Sequence, residues 1–488
     1  MSLIQVQHLT FGYDGSFELI FDDVSFVLDT HFKTALIGRN ARGKTTLLKL
    51  MMHEYEYQGQ IMIHEKCCYF PYEVKNPQLL TLDVCYEIEP SLENWRLEKE
   101  LRLLGMDAMD VFYRPFETLS HGEQTKVLLA ILFLKEHSFL LIDEPTNHLD
   151  QDSRLKIGEY LKRQKGFLLV SHDRYFIDSC CDHVMAINPQ SIDVVNGNFS
   201  SWYEDKTKKD EREMMLNKKL KKDIVKMESS KRQKQNWGYQ IEKSKKGAVD
   251  KGYVGHMAAK MMKRSRAIEK RQQQAIEKKK TLLKDIEEYD DLKIHCLKYF
   301  QNQILQFQHF SLSYDHHQIF EDLSLTIHQH DRILLKGPNG CGKSSLIRFI
   351  LGEKIEYDGQ YICGSQLKIS YVPQDCTFLS GQLDDWIEQC HSDLTLVKTL
   401  LRKLGFSREH FDIPLEKLSQ GQKKKVMLAI SLASPAHLYI WDEPLNYIDI
   451  FSRIQIEQAI LTYQPTLLFV EHDQYFQQKI ATEVIDFS

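Results

Sequence analysis

Two patterns of apolar positions alternate along this chain and predict two kinds of element. Short apolar runs such as Thr34-Ala-Leu-Ile-Gly38 and Arg332-Ile-Leu-Leu-Lys-Gly337 end in glycine-containing loops that open helices, the pattern of parallel α/β units. Further apolar runs end in acids at Phe139-Leu-Leu-Ile-Asp143-Glu144 and Leu438-Tyr-Ile-Trp-Asp442-Glu443. From about residue 204 to 288 the period becomes helical. That stretch lacks proline, is dense in Lys, Glu, Gln, Met and Leu, and places Leu216, Leu220, Ile224 and Met227 on one face. Met261, Ile268, Ala275 and Leu282 then recur at sevenfold spacing, after Gly238, Gly247, Gly252 and Gly255 interrupt the pattern. The expectation is two antiparallel helices of roughly 30 residues, each about 45 Å long at 1.5 Å per residue, with a tip near residues 237–257.

The α/β pattern occurs twice. Lys44 pairs with Lys343, Ser120 with Ser419 and Asp143 with Asp442 at an offset of 299, and His172 pairs with His472 at 300. Such constant spacing marks a tandem duplication, with domains expected at 1–203 and 300–488 and a linker at 204–290. A chain of 488 residues has room for this, since single cores stop growing at roughly 250 to 300 residues.

Charge changes the view of the linker. The chain carries a net −5, but residues 206–284 hold 26 basic and 9 acidic residues, so this +17 element is joined to a body of −22. A basic element of this kind seeks phosphate, and a nucleic-acid partner is expected for it, the charge alone leaving open which nucleic acid. Apolar content is 42%, and the longest unbroken apolar run, Val127 to Leu134, is far shorter than the roughly 20 residues of a membrane span. The N-terminus lacks the basic start and apolar stretch of a signal peptide, so a cytoplasmic protein is expected. Ten cysteines without a Cys-x-x-Cys are read as reduced thiols, mostly in cores.

Gly38-Arg-Asn-Ala-Arg-Gly43-Lys44-Thr45 and Gly337-Pro-Asn-Gly-Cys-Gly342-Lys343-Ser344 both fit the phosphate-binding loop G-x-x-x-x-G-K-[ST]. Glycine lets backbone wrap a phosphate, the helix N-terminus supplies N–H donors, lysine reaches the β and γ phosphates, and Thr45 or Ser344 holds Mg²⁺. The expected ATP contacts are Gly38, Asn40, Gly43, Lys44, Thr45 and Thr46, and Gly337, Asn339, Gly340, Gly342, Lys343, Ser344 and Ser345. Ala41 replaces the glycine of Gly340, which costs up to about 1 kcal/mol if the position needs positive φ. Asp143 and Asp442 should reach the Mg²⁺ shell, while Glu144 and Glu443 orient or deprotonate the attacking water. His172 and His472 are placed to contact the γ-phosphate. Leu119-Ser120-His-Gly122-Glu and Leu418-Ser419-Gln-Gly421-Gln precede helices as anion-receiving starts.

Together these motifs resemble ATP-binding cassettes. The resemblance implies an α/β fold class of two tandem ATP-binding cassette (P-loop NTPase) domains joined by a long basic α-helical hairpin linker, pairing head to tail within a monomer. It implies one ATP site from Lys44, Thr45, Asp143, Glu144 and His172 with Ser419 and Gly421. The other joins Lys343, Ser344, Asp442, Glu443 and His472 with Ser120 and Gly122. Tyr13 and Tyr314 stand where cassettes stack an aromatic on adenine, or they belong to the core. Gln374 matches the family's Q-loop glutamine and metal contact, whereas the first copy has Tyr72, so unequal sites are expected.

Two cassettes with a basic linker resemble the ABC-F family, and the segment Asp250 to Arg266 is similar to its Lsa- and Vga-like resistance branch. That resemblance implies an ATP hydrolase that enters the exit-tRNA site of the bacterial ribosome. There it would approach 23S rRNA and peptidyl-tRNA and protect against pleuromutilins, lincosamides and streptogramin A, with no membrane partner. Candidate RNA contacts are Trp237, Tyr239, Lys245, Lys246, Lys251, Tyr253, Lys260, Lys263, Arg264 and Arg266. Met257, Met261 and Met262 wedge among bases or simply pack the helices. A general translation factor that frees stalled ribosomes, and a transporter ATPase or DNA clamp, are the other readings.

Overall fold

In the computed structural model, residues 2–13, 19–40, 42–146, 149, 151–188, 191–243, 291–314, 317–338 and 340–487 are described. The chain divides into one unit of residues 1–200 with 289–488 and a second of residues 201–288. Inside the first unit the same architecture appears twice. In the first copy the sheet order is Lys66–Phe70, Ser138–Asp143, Phe167–Val170, Lys33–Ile37, His183–Ile187 and Ile192–Asn196. All neighbours are parallel except the last pair. The second copy orders Ile369–Val372, Leu438–Asp442, Leu467–Val470, Arg332–Lys336 and Glu483–Asp486, all parallel. Each copy adds a three-stranded antiparallel sheet, centred on Leu3–Phe11 or Gln303–Tyr314.

The central strands are fully apolar because helices cover both faces of a parallel sheet. Phe167, Leu168 and Leu169 are buried, as are Leu438, Tyr439, Ile440 and Trp441. The indole N–H of the buried Trp441 donates to Ser431 Oγ at 3.0 Å, which removes the cost of an unpaired polar group in that core. The strands that carry the functional acids therefore lie in the buried core of each copy. Register confirms the duplication, since Phe70 pairs with Ile142 in one sheet and Val372 with Trp441 in the other.

The linker differs from expectation within the described residues. One helix, Phe199–Lys243, runs for 45 residues, about 68 Å at 1.5 Å per residue. It passes through Trp237, Gly238 and Tyr239, where a turn was expected. One interior glycine costs only about 1 kcal/mol against alanine, too little to end a long helix. The returning helix, the rest of the tip and the candidate contacts Lys245, Lys246, Lys251, Tyr253, Lys260, Lys263, Arg264 and Arg266 lie outside the described residues, as do the side chains of Trp237 and Tyr239. No described helix is long and apolar enough to cross a membrane. The cysteines are unpaired, with Cys68, Cys85, Cys180, Cys181 and Cys376 buried and Cys363 and Cys390 exposed.

Candidate active site: two phosphate loops and the acids that face them

Each phosphate loop ends on a glycine that caps a helix without a side-chain cap: Gly43 before Lys44–Met51 and Gly342 before Lys343–Ile350. Their φ values are +83° and +100°, and a Cβ would stand 2.5 Å from Ile20 Cγ2 or 2.4 Å from Ile319 Cγ2. Glycine is required there, and the helix-start amides are left for an anion. Gly340 also has positive φ, +85°, so that position does take the left-handed form, while Ala41, its counterpart, lies outside the described residues. Both lysines bend over their own loops. Lys44 Nζ donates to the carbonyls of Gly38 (2.8 Å) and Arg39 (3.2 Å), and Lys343 Nζ to those of Gly337 (2.8 Å) and Pro338 (2.7 Å).

The hydroxyl and the first acid meet in each copy, Thr45 Oγ1 to Asp143 Oδ2 at 2.7 Å and Ser344 Oγ to Asp442 Oδ2 at 3.1 Å. A hydroxyl and a carboxylate held together form a hard-oxygen pair of the kind magnesium takes. Tyr13 is half exposed and bonds Thr46 through its hydroxyl at 2.9 Å, which fixes its ring beside the first loop. Ser345 lies in the first turn of the second loop's helix, half-buried. The side chain of Tyr314 and all of Asn339 lie outside the described residues.

Ser120 and Ser419 are helix N-caps closed by reciprocal capping boxes with Glu123 and Gln422, opening His121–Leu134 and Gln420–Ala433. The second of these starts faces the first loop. Asn40 Nδ2 donates to Tyr447 O at 3.1 Å across the two copies, and a Cβ on Gly421 would fall 2.5 Å from that same oxygen. Asn40, Glu144, His172, Ser419, Gly421 and Tyr447 line one cavity of about 230 Å³. This is the head-to-tail approach expected for the first site. The counterpart contacts of Ser120 and Gly122 would fall on Asn339 and His148, both outside the described residues.

The family model described as ABC transporter matches residues 21–147 and again 320–446, more than half of the chain. The chain belongs to the ABC transporter family. Among curated relatives of this ABC protein, the putative ATP-binding protein YdiF of Bacillus subtilis is 26% identical over all of this chain and 80% of its own length. The ribosome protection protein VmlR of Bacillus subtilis is 27% identical over 96% of this chain and 84% of its own. ABC transporter F family member 2 of Arabidopsis thaliana is 24% identical over 99% of this chain and 76% of its own. These relatives support kinship with the F family. A solved structure of RNase-L Inhibitor superposes with a TM-score of 0.64 at 18% identity, covering 98% of this chain and 87% of that one, so the fold is two tandem cassettes. The protein is an ATP hydrolase, as its cassette domains and relatives support.

The two second acids of this ABC protein share one strained backbone and differ in surroundings. Glu144 and Glu443 have φ of +50° and +46°, left-handed values that cost non-glycine residues about 1–3 kcal/mol and recur at functional sites. In cassette 2, Gln374 Nε2 donates to Glu443 Oε1 at 3.0 Å, Asn446 donates to Oε2, and His472 Nε2 stands 3.6 Å away. Burial pushes this carboxyl up, but hydrogen bonds from His472 and Asn446 and the positive charge of Lys424 outweigh it and hold it below the usual range. In cassette 1, Tyr72 stands in the place of Gln374 and offers no amide. Glu144 Oε1 lies 3.2 Å from His172 Nε2, yet has no hydrogen-bond partner. Burial, helped by the Asp143 charge, lifts Glu144 to about 8, while burial and the charges of Lys44 and Arg453 keep His172 neutral.

Three contacts were missed by sequence reasoning. Tyr69 donates to Asp143 Oδ2 at 3.0 Å. Lys424 fastens the Q-loop backbone of cassette 2. Arg174 crosses to Glu457 as a buried two-pronged pair, one prong at 3.3 Å, with Lys479 Nζ 3.1 Å from the same carboxylate. No local motif marks these, although Arg174 lies only two residues after His172.

Proposed function

We propose that this chain is a ribosome-binding ATPase of the F family whose paired cassettes close on ATP in the exit-tRNA site. In that form the basic linker reaches toward 23S rRNA and peptidyl-tRNA and protects the peptidyl-transferase centre from pleuromutilin, lincosamide and streptogramin A drugs. The observation that carries the reading is the meeting of Ser419 and Gly421 with Asn40, Glu144 and His172 around one cavity. A nucleotide between a phosphate loop and the opposite signature turns binding into closure. The relative named for ribosome protection supports the target, and the +17 charge of residues 206–284 supports an RNA phosphate partner. A chain with this role works in the cytoplasm on ribosomes.

In this reading the loop amides and Lys44 or Lys343 hold the triphosphate, with Tyr13 against the base. Thr45 with Asp143, and Ser344 with Asp442 and Gln374, hold Mg²⁺, which neutralises phosphate charge when bound. Glu144 or Glu443 accepts a proton from the attacking water and His172 or His472 lies beside the γ-phosphate. The test is ribosome co-sedimentation of Glu144→Gln with Glu443→Gln in ATP. Trapping on ribosomes is expected, and a freely sedimenting double variant overturns the proposal. Drug susceptibility of cells expressing the chain, beside a form lacking residues 237–257, separates protection from general translation, because only protection makes resistance depend on the tip.

A further inference from the structure

Lys424 is buried, 2% exposed, in the second turn of the signature helix of cassette 2, Gln420–Ala433. An ammonium has three protons to donate. Here they meet three backbone carbonyls: Pro373 at 2.7 Å, Gln374 at 3.1 Å and Asp442 at 3.2 Å. No carboxylate bonds it directly, and a buried cation bonded only to carbonyl dipoles is costly, even with the charges of Glu471, Asp442 and Glu443 nearby. Its neighbour contrasts with it, since Lys425 pairs with the Asp449 carboxylate at 2.6 Å and has a lysine counterpart in Lys126 of cassette 1. Lys424 has none. The matching position is Thr125, too short to span such a gap, and that cassette also carries Tyr72 in place of the glutamine, with no partner for Glu144 Oε1 among the described residues.

We propose that Lys424 is a positioning residue for hydrolysis at the second site. It ties the Q-loop backbone to the end of the strand that presents Glu443, and so holds Gln374 on that carboxylate. Two of its acceptors belong to the Q-loop and the third to Asp442, the residue directly before Glu443. With both backbones fixed to one ammonium, the Gln374 amide has a short path to Glu443 Oε1, the 3.0 Å bond observed. Lys424 touches neither substrate nor reacting water; it positions Gln374, and its charge adds to the lowering of the Glu443 pKa.

The test is steady-state ATP hydrolysis in the Glu144→Gln background, where the second site alone turns over. Lys424→Met should lower kcat about tenfold with KM for ATP held within about twofold, because the contact positions the base and leaves the phosphates alone. Gln374→Ala should cost a similar factor. The double variant should fall no more than about twofold below either single one, since the two residues act as a unit. Lys424→Arg, which keeps the charge and the donors, should recover most of the rate. Should the methionine variant fail to fold, Lys424→Gln, which still donates to two carbonyls, takes its place in the same cycle. An unchanged kcat, a loss confined to KM, or losses that multiply in the double variant each overturn the assignment.

Discussion

Glu144 and Glu443 occupy the same place in two copies of one fold, with φ values 4° apart, yet they hold protons differently. Glu443 is surrounded by an amide from Gln374, an amide from Asn446 and the charge of Lys424, and stays ionised. Glu144 is desolvated by burial beside the Asp143 charge, with Tyr72 where the glutamine stands in the other copy, and keeps its proton to about pH 8. Duplication copied the framework while a few side chains set the chemistry apart. A base must be ionised to accept a proton, so the second site is poised at neutral pH and the first is held back.

The strongest way to break this comparison is to remove each acid alone. Glu443→Gln should cut turnover at pH 7 by on the order of 10²-fold, the scale of a lost general base, while Glu144→Gln costs less than about threefold. Equal losses in the two variants would erase the asymmetry. Next in size is the ion pair between the cassettes. Glu457→Ala takes from the buried Arg174 guanidinium its hydrogen-bonded partner and leaves it the Asp473 carboxylate 3.9 Å away, so it should destabilise the chain by about 2 kcal/mol, read as a fall in the denaturant midpoint. The counterpart positions are Gly158 and Gln474, so no matching pair exists on the other side.

The pH profile sharpens the contrast further. With Glu443→Gln, turnover from the first site should climb nearly tenfold per unit below pH 8 and level off above it, because ionised Glu144 accumulates as pH rises through its raised pKa. With Glu144→Gln the second site should be flat from about pH 6 upward, its carboxyl being ionised throughout. A flat first-site profile would contradict the proton assigned to Glu144. Smaller still, Asn40→Ala removes one hydrogen bond across the cassettes, about 1 kcal/mol, and should weaken ATP-driven closure about fivefold. Tyr72→Gln gives Glu144 the amide that Gln374 gives Glu443 and should move the first-site midpoint down by up to about one pH unit.

Much of the site was legible in the sequence. Gly43 and Gly342 announce themselves because positive φ within a helix-opening loop admits little else, and Ser120 and Ser419 because a capping box needs only residues three apart. The acids after apolar strands were equally plain. The linker was less so, since Gly238 reads as a break and is carried through a continuous helix. Tyr69, Lys424 and Arg174 escaped because their partners stand 74, 51 and 283 residues away, and nothing in a run of local letters fixes such pairs.

By itself the sequence determined the duplication, the parallel α/β copies, the two phosphate loops and the order of parts around them. All of these are written in backbone preferences and apolar periods spanning a few residues. Only the tertiary structure decided which acid keeps its proton, which lysine fastens the Q-loop and which side of the cassette pair carries the buried arginine. Those outcomes depend on desolvation and on charges brought within a few ångströms by folding, and burial is a property of neighbours that no single position holds alone.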